Sequence, residues 1–311
     1  MEKLYVLLFY KFVEMKDLEY FQRIHLKLCN KIGVLGKVLI GKEGINGSVS
    51  GTKSQVEEYK KSLISDKKFS DIVFKEDEVL NHPFTKMAVR IRNEIVTFGK
   101  EVDFSKKAEY ISAEELYDMY QNKEVGEDFI ILDARNDYEY KVGKFKGAEH
   151  LNIKNFREFA DALEKVKGIK EKKIITYCTG GIRCEKAATY MRSKGFQKVL
   201  QLKDGILDFG KKFPDTFWEG KCFVFDKRLV TPINSTDFSK DTITECEICG
   251  IPCDLYKNCR NENCDRLVIS CLECQEKYIG CCSESCLSEL RKKFFEKSIR
   301  NHGRKVAKLN G

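Results

Sequence analysis

The sequence has no run approaching the roughly 20 apolar residues that a membrane-crossing helix requires. Its longest early apolar stretch, Leu4 to Tyr10, stops at Lys11 with no small-residue cleavage site behind it, and so reads as a core strand rather than a secretion leader. Histidine is scarce, four in 311 residues, and none lies between Cys246 and Cys286. Cysteine is sparse over the first 245 residues, where it occurs at Cys29, Cys178, Cys184 and Cys222. Internal repeats and long low-complexity tracts are missing as well. These absences disfavour a membrane or secreted protein and point to a cytoplasmic chain whose thiols stay reduced.

With 42% apolar residues, 21 Phe and 13 Tyr, the chain carries too much core-forming material for a disordered polyelectrolyte, although 33% of it is charged. The net charge of +8 is concentrated: Arg291 to Gly311 holds eight Lys/Arg against Glu296 alone, leaving the rest near neutral. Such a tail is either a grip on a polyanion, through counterion release, or a solvated C-terminus.

The length allows two or three compact units, and the pattern divides into an α/β protein of three regions. Residues 1–105 begin with the strand Leu4 to Phe9 and a helix from Asp17 to Lys31. A strand pair over Gly36 to Gly51, a helix from Lys53 to Ile64 and strands at Ile72 to Lys75 and Met87 to Thr97 follow. That order predicts a ferredoxin-like α+β domain. Within it, Gly41-Lys-Glu-Gly-Ile-Asn-Gly47 lacks the spacing of either phosphate-binding fingerprint and reads as a hairpin. Residues 106–228 alternate short apolar strands (Phe129 to Leu132, Glu149 to Leu151, Lys173 to Tyr177, Val199 to Leu202) with helices at Ser112, Asn155 to Val166 and Glu185 to Lys194. This predicts a parallel sheet covered on both faces. Residues 229–311 hold a polar linker, Thr231 to Ser239, and ten of the 14 cysteines.

Two features carry chemistry. Cys178-Thr-Gly-Gly-Ile-Arg183 sits between a buried strand and a helix, where amides can curl round one point and the helix N-terminus adds about half a positive charge. A cysteine there is a thiolate site, its pKa drawn from about 8.5 to below roughly 7.5. Cys178 is the candidate nucleophile, Arg183 supplies further positive potential, and Gly180 and Gly181 permit close approach. Cys184 either resolves an oxidised Cys178 or packs at the helix start. The second feature is four cysteine pairs: Cys246/Cys249, Cys259/Cys264, Cys271/Cys274 and Cys282/Cys286. Their spacings, with no histidine nearby, predict two structural zinc ions, each held by four thiolates. Interleaving joins the first pair with the third and the second with the fourth. Cys253 and Cys281 are left over, and either can replace a neighbour.

Asp133-Ala-Arg135, Gly147-Ala-x-His-Leu151 and the six-residue Cys178-to-Arg183 loop, in that order, resemble a rhodanese domain; Gly143-Lys-Phe-Lys-Gly147 departs from the Gly-His-Ile of many rhodaneses. On that resemblance Asp133, Arg135 and Glu139 brace the loop. With Gly41-Lys-Glu-Gly-Ile-Asn-Gly47 before it and Cys253-Asp-Leu-Tyr-x-Asn-Cys259 after it, the whole chain resembles the bacterial oxygen-dependent tRNA uridine(34) hydroxylases. The resemblance implies RNA binding at the tRNA anticodon loop and conversion of the wobble uridine to 5-hydroxyuridine, with molecular oxygen as co-substrate. Cys178 would act as a thiolate or as a persulfide. A rhodanese-type sulfurtransferase working through a Cys178 persulfide is the alternative.

Overall fold

A computed structural model describes residues 3–166, 168–214, 216–233 and 242–309, with the side chains of the last helix described as far as Glu296. The chain divides into two compact units, Met1–Thr236 and Asp237–Gly311.

The first unit opens with β1 (Leu4–Phe12), α1 (Leu18–Ile32), β2 (Leu35–Gly41), β3 (Gly44–Thr52), α2 (Lys53–Ile64), β4 (Val73–Val79) and β5 (Met87–Ile91). The sheet order is β4-β1-β3-β2-β5. All neighbours are antiparallel except β2 and β5. This is the ferredoxin-like plan with a fifth strand added in parallel at the β2 edge. Period-two alternation turns Leu7, Phe9, Val38, Ile40, Ile45 and Val49 toward the helices, where they form one core with Tyr59 and Phe69. Thr52 and Gln55 form a reciprocal cap that fixes the start of α2. The glycine-rich motif is a β2–β3 hairpin. Gly44 sits there at φ +143°, and a Cβ would lie 2.0 Å from the Lys11 carbonyl oxygen, so no side chain fits.

The same unit continues with β6 (Glu109–Ile111), α3 (Ala113–Asn122), β7 (Ile130–Asp133), α4 (Asp137–Val142), β8 (Gly143–Phe145) and β9 (Glu149–His150). After these come α5 (Phe159–Glu164), β10 (Lys173–Tyr177), α6 (Ile182–Ser193), β11 (Lys198–Leu202) and α7 (Gly205–Lys212), then the short β12 (Trp218–Gly220), β13 (Cys222–Phe223) and β14 (Val230–Thr231). The main sheet, β6-β11-β10-β7-β9, is wholly parallel. Apolar clusters cover both faces, which is why its strands read as continuous apolar runs. Ser112 and Glu115 cap α3 as the sequence suggests. The helix expected over Asn155 to Val166 is shorter, a 3₁₀ turn at Phe156–Glu158 leading into α5. Helices α4 and α7 have 6 and 8 residues, too short for a 3.6-residue period to stand out in the sequence.

The second unit contains the antiparallel pair β15 (Tyr256–Asn258) and β16 (Leu267–Ile269), α8 (Leu272–Lys277) and the long α9 (Glu284–Leu309). Its apolar cluster is small, Leu287 and Leu290 against Cys259 and Cys281. The basic run belongs to α9, and its side chains from residue 297 onward, His302 included, lie outside the described residues, as does most of the expected linker.

Candidate active site and metal centres

Strand β10 is a buried interior strand, and its carboxyl end is where a parallel sheet gathers chemistry. Cys178 stands at that end. The loop then turns into α6 with Gly181 at φ +98°, and the Gly181 amide donates to Cys178 Sγ at 3.1 Å. The sulfur is fully buried. Burial by itself would raise its pKa; a hydrogen bond from the Cys184 thiol, the Arg183 charge and the amides of Cys184 and Arg183 overcome it and hold Cys178 at about 6. The surroundings of Cys178 therefore favour its thiolate form near neutral pH. Cys184 is pushed well above its ordinary value, by burial and by its hydrogen bond to Cys178, so it keeps its proton and donates it toward the thiolate.

Arg183 is anchored rather than free. Its Nη1 and Nη2 donate to Glu139 at 2.5 and 2.8 Å, and Nη2 also reaches Thr179 Oγ1 at 3.3 Å. Glu139 lies in the first turn of α4, where Oε2 also accepts from the Asn136 amide at 3.2 Å. Behind this pair the buried Arg135 donates to Asp133 at 2.6 Å and to the Gly143 carbonyl at 2.6 Å, between the rings of Tyr177 and Trp218. Two bidentate buried pairs thus stiffen the wall of the loop, and removing one partner of such a pair costs about 3–5 kcal/mol.

The two loop glycines do something the sequence did not suggest. A Cβ on Gly180 would lie 2.8 Å from Leu8 Cδ2, and one on Gly181 2.9 Å from Tyr10 Oη. Strand β1 of the N-terminal sheet therefore lies directly on the cysteine loop. Gly205, at φ +71°, serves the loop from below, since a Cβ there would lie 2.5 Å from the Cys178 carbonyl oxygen.

Helix α6 is polar in sequence yet buried, and each of its charges has partners. Glu185 accepts from Tyr10 Oη at 3.2 Å and Tyr110 Oη at 2.6 Å, and pairs with Lys107 at 3.0 Å. Lys186 pairs with Glu43 at 2.9 Å and Glu94 at 2.6 Å and donates to the Val96 carbonyl. The hairpin motif is thereby tied to the cysteine loop through Glu43. Sequence reading missed Leu8, Tyr10, Glu43 and Glu94 because residues up to 175 positions apart carry no spacing signal. Phe225, exposed, lies over the Arg183 guanidinium at 5.7 Å and also went unforeseen.

In the second unit the eight cysteines meet in the interleaved arrangement: Cys246, Cys249, Cys271 and Cys274 in one group, Cys259, Cys264, Cys282 and Cys286 in the other, the sulfurs of each within 4.8 Å of one another. Tetrahedral thiolates about 2.3 Å from an ion stand about 3.8 Å apart. Cys249–Cys271, Cys264–Cys282 and Cys282–Cys286 each measure 3.7 Å, far beyond the roughly 2 Å of a disulfide. The amides of Cys271 and Cys282 point at Cys246 and Cys259 sulfurs at 3.4 Å, as they would toward thiolates bearing charge. Each group can hold one tetrahedral metal ion. Cys253 accepts from the Leu255 amide and Cys281 packs with Leu287 and Leu290, both outside the two groups.

A doubly covered parallel sheet with a six-residue Cys-to-Arg loop at a strand end defines a protein of the rhodanese-like class. Family models agree: a rhodanese-like domain matches residues 112–212, a UPF0176 acylphosphatase like domain residues 4–95, and a rhodanase C-terminal model residues 219–287. A tRNA uridine(34) hydroxylase of Bacillus velezensis is 41% identical over 100% of this chain and 95% of its own length. A relative with the same name from Bacillus pumilus is 42% identical over 94% and 91%, and one from onion yellows phytoplasma 37% over 94% and 95%. The chain belongs to the tRNA uridine(34) hydroxylase family.

Proposed function

We propose that this enzyme hydroxylates C5 of the wobble uridine of tRNA, position 34, giving 5-hydroxyuridine. The observation that carries the reading is full-length similarity to relatives of that name, around a loop whose amides and arginine favour the thiolate of its cysteine. The Cys178 thiolate adds to C6 of the uracil, which makes C5 nucleophilic toward molecular oxygen. The C5 carbanion takes up oxygen as a C5 hydroperoxide, and loss of the C5 proton then expels Cys178 from C6 and restores the ring. The freed Cys178 thiolate attacks the outer peroxide oxygen, leaving one oxygen atom on C5 and making Cys178 a sulfenic acid. The Cys184 thiol displaces that oxygen as water, so the two thiols supply the two electrons and end as a disulfide for an external reductant to reset. Arg183 and the loop amides hold the charge that develops. The reacting base must leave the anticodon stack, which costs little for a loop nucleotide.

The two thiolate groups of the second unit are proposed as zinc sites, two ions per chain, with a structural role: soft sulfur ligands in closed tetrahedra suit zinc, and the small apolar cluster there supplies little stability of its own. The chain is proposed to work in the cytoplasm, where tRNA is available and thiols stay reduced; no helix among the described residues is long and apolar enough to cross a membrane.

The test is nucleoside mass spectrometry of unmodified tRNA incubated with the purified protein under ¹⁸O-labelled oxygen. The expected product is 5-hydroxyuridine at position 34 carrying one heavy oxygen. A 2-thiouridine product, or no product at position 34, would overturn the reading, the former in favour of the sulfurtransferase alternative.

A further inference from the structure

The face of the N-terminal sheet that covers the cysteine loop continues beyond it. Register puts Leu8, Ser48, Lys37 and Ala88 in one row across β1, β3, β2 and β5, and Tyr10, Asn46, Leu39 and Arg90 in the next. Arg92, two residues past Arg90 with its amide still bonded to the Ile40 carbonyl, falls on the same face. Leu8 and Tyr10 at one end of these rows touch Gly180 and Gly181. At the other end Lys37, Arg90 and Arg92 are exposed.

Elsewhere in this domain Lys3, Lys11, Lys53, Lys60 and Lys75 each pair with a carboxylate, while Lys27, Lys31, Lys42, Lys61, Lys67 and Lys86 carry no ion pair among the described residues. Among the described residues, Lys37, Arg90 and Arg92 have no acidic partner within ion-pair distance. Glu43 and Glu94, the acids at this end of the sheet, are engaged by Lys186. Burial of its stem and the charges of Arg90 and Arg92 hold the Lys37 ammonium below its ordinary value. Three cations thus stand together, and their mutual repulsion is relieved when an anion joins them.

We propose that this open sheet face is the surface that grips the tRNA sugar-phosphate backbone, with Lys37, Arg90 and Arg92 on phosphates next to the nucleotide delivered to Cys178. Strands about 4.8 Å apart put Lys37 about 10 Å and Arg90 about 14 Å across the sheet from the residues on the loop, a reach of a nucleotide or two. Ser48, between the cations and the loop, brings a neutral hydroxyl along the same path, while the Asn46 side-chain amide donates to the Ile95 carbonyl at 2.8 Å. An RNA strand fits this better than an acidic protein because the charge lies in line with a site for a single base. The inference rests on the tRNA reading above.

The test uses the full-length protein with Lys37→Gln, Arg90→Gln and Arg92→Gln combined, and Lys37→Arg as the charge-conserving control. Binding of fluorescent tRNA is followed by anisotropy between 50 and 200 mM salt, and 5-hydroxyuridine formation is measured alongside. The triple variant is expected to bind about 10–100-fold more weakly, to lose about 2 to 3 from the slope of log K against log salt, and to raise KM with kcat unchanged. The control should match the parent, and circular dichroism should show all proteins folded. Affinity and salt slope within twofold of the parent would overturn the proposal, as would equal loss of binding to poly-glutamate. A parent protein that binds tRNA through this face yet makes no 5-hydroxyuridine would instead sink the function reading and leave the surface standing.

Discussion

The two units use one residue type for opposite ends. In the first, Cys178 stands beside an arginine, a thiol and several amides, so its charge is stabilised while its sulfur remains unshared. In the second, cysteines gather in fours at metal-ligand separations, and any charge on one is available to be shared by an ion. The lesson is that a cysteine's chemistry is decided by how many other sulfurs stand within about 4 Å and by whether a fixed cation stands near. The architectures follow suit: the reactive thiol sits on a sheet with its own two-sided core, and the clustered thiols sit where hardly any core exists.

The largest effect should come from exchanging the reactive sulfur. Cys178→Ser is expected to lower 5-hydroxyuridine formation about 10³-fold or more with metal content unchanged, read by nucleoside and metal analysis. Full activity would break the comparison at its root. Next comes the clustered side: Cys246→Ser or Cys259→Ser should lower bound zinc from two ions to one and destabilise the second unit, seen as faster protease cleavage after residue 236, while the first unit keeps its cooperative melting transition. Loss of both units together would mean that their cysteines are not separate systems.

Arg183→Ala should cut the rate about 10²-fold and move the Cys178 pKa from about 6 toward its ordinary value, shifting the activity profile to higher pH. The direction follows from removing a cation that favours the thiolate. The smallest effect concerns a buried group in the N-terminal core. His25, with Nε2 at 3.0 Å from Tyr59 Oη, is held by burial at about 4, so the folded state favours the neutral ring. The stability this confers is complete above the unfolded value near 6.5 and is lost as pH falls from there to about 4, by at most about 3 kcal/mol. His25→Gln should flatten denaturant midpoints across that window; an unchanged slope would remove His25 from the account.

Most of the ferredoxin-like and parallel-sheet plan was legible because period-two alternation, continuous apolar strands and caps such as Ser112/Glu115 are local signals. The cysteine loop and the interleaved groups were legible for the same reason: the spacing of a few residues fixes them. What stayed hidden was long-range. Nothing in Tyr10, Glu43 or Glu94 announces a partner on α6, and the charged string Arg183, Glu185, Lys186 looks like a solvated helix until those partners are seen. The glycines illustrate the limit. Gly180 and Gly181 were read as permitting close approach within the loop, and what approaches them is Leu8 and Tyr10 of a distant strand.

The central claim, that surroundings make Cys178 a thiolate while Cys184 keeps its proton, is tested most directly by the difference in ultraviolet thiolate absorbance between the parent and Cys178→Ser across pH. The clustered cysteines cancel in that difference, and no reagent has to enter the closed site. The account predicts a single titration with its midpoint near pH 6. A midpoint at or above about 8.5, the value of an unassisted thiol, would contradict it.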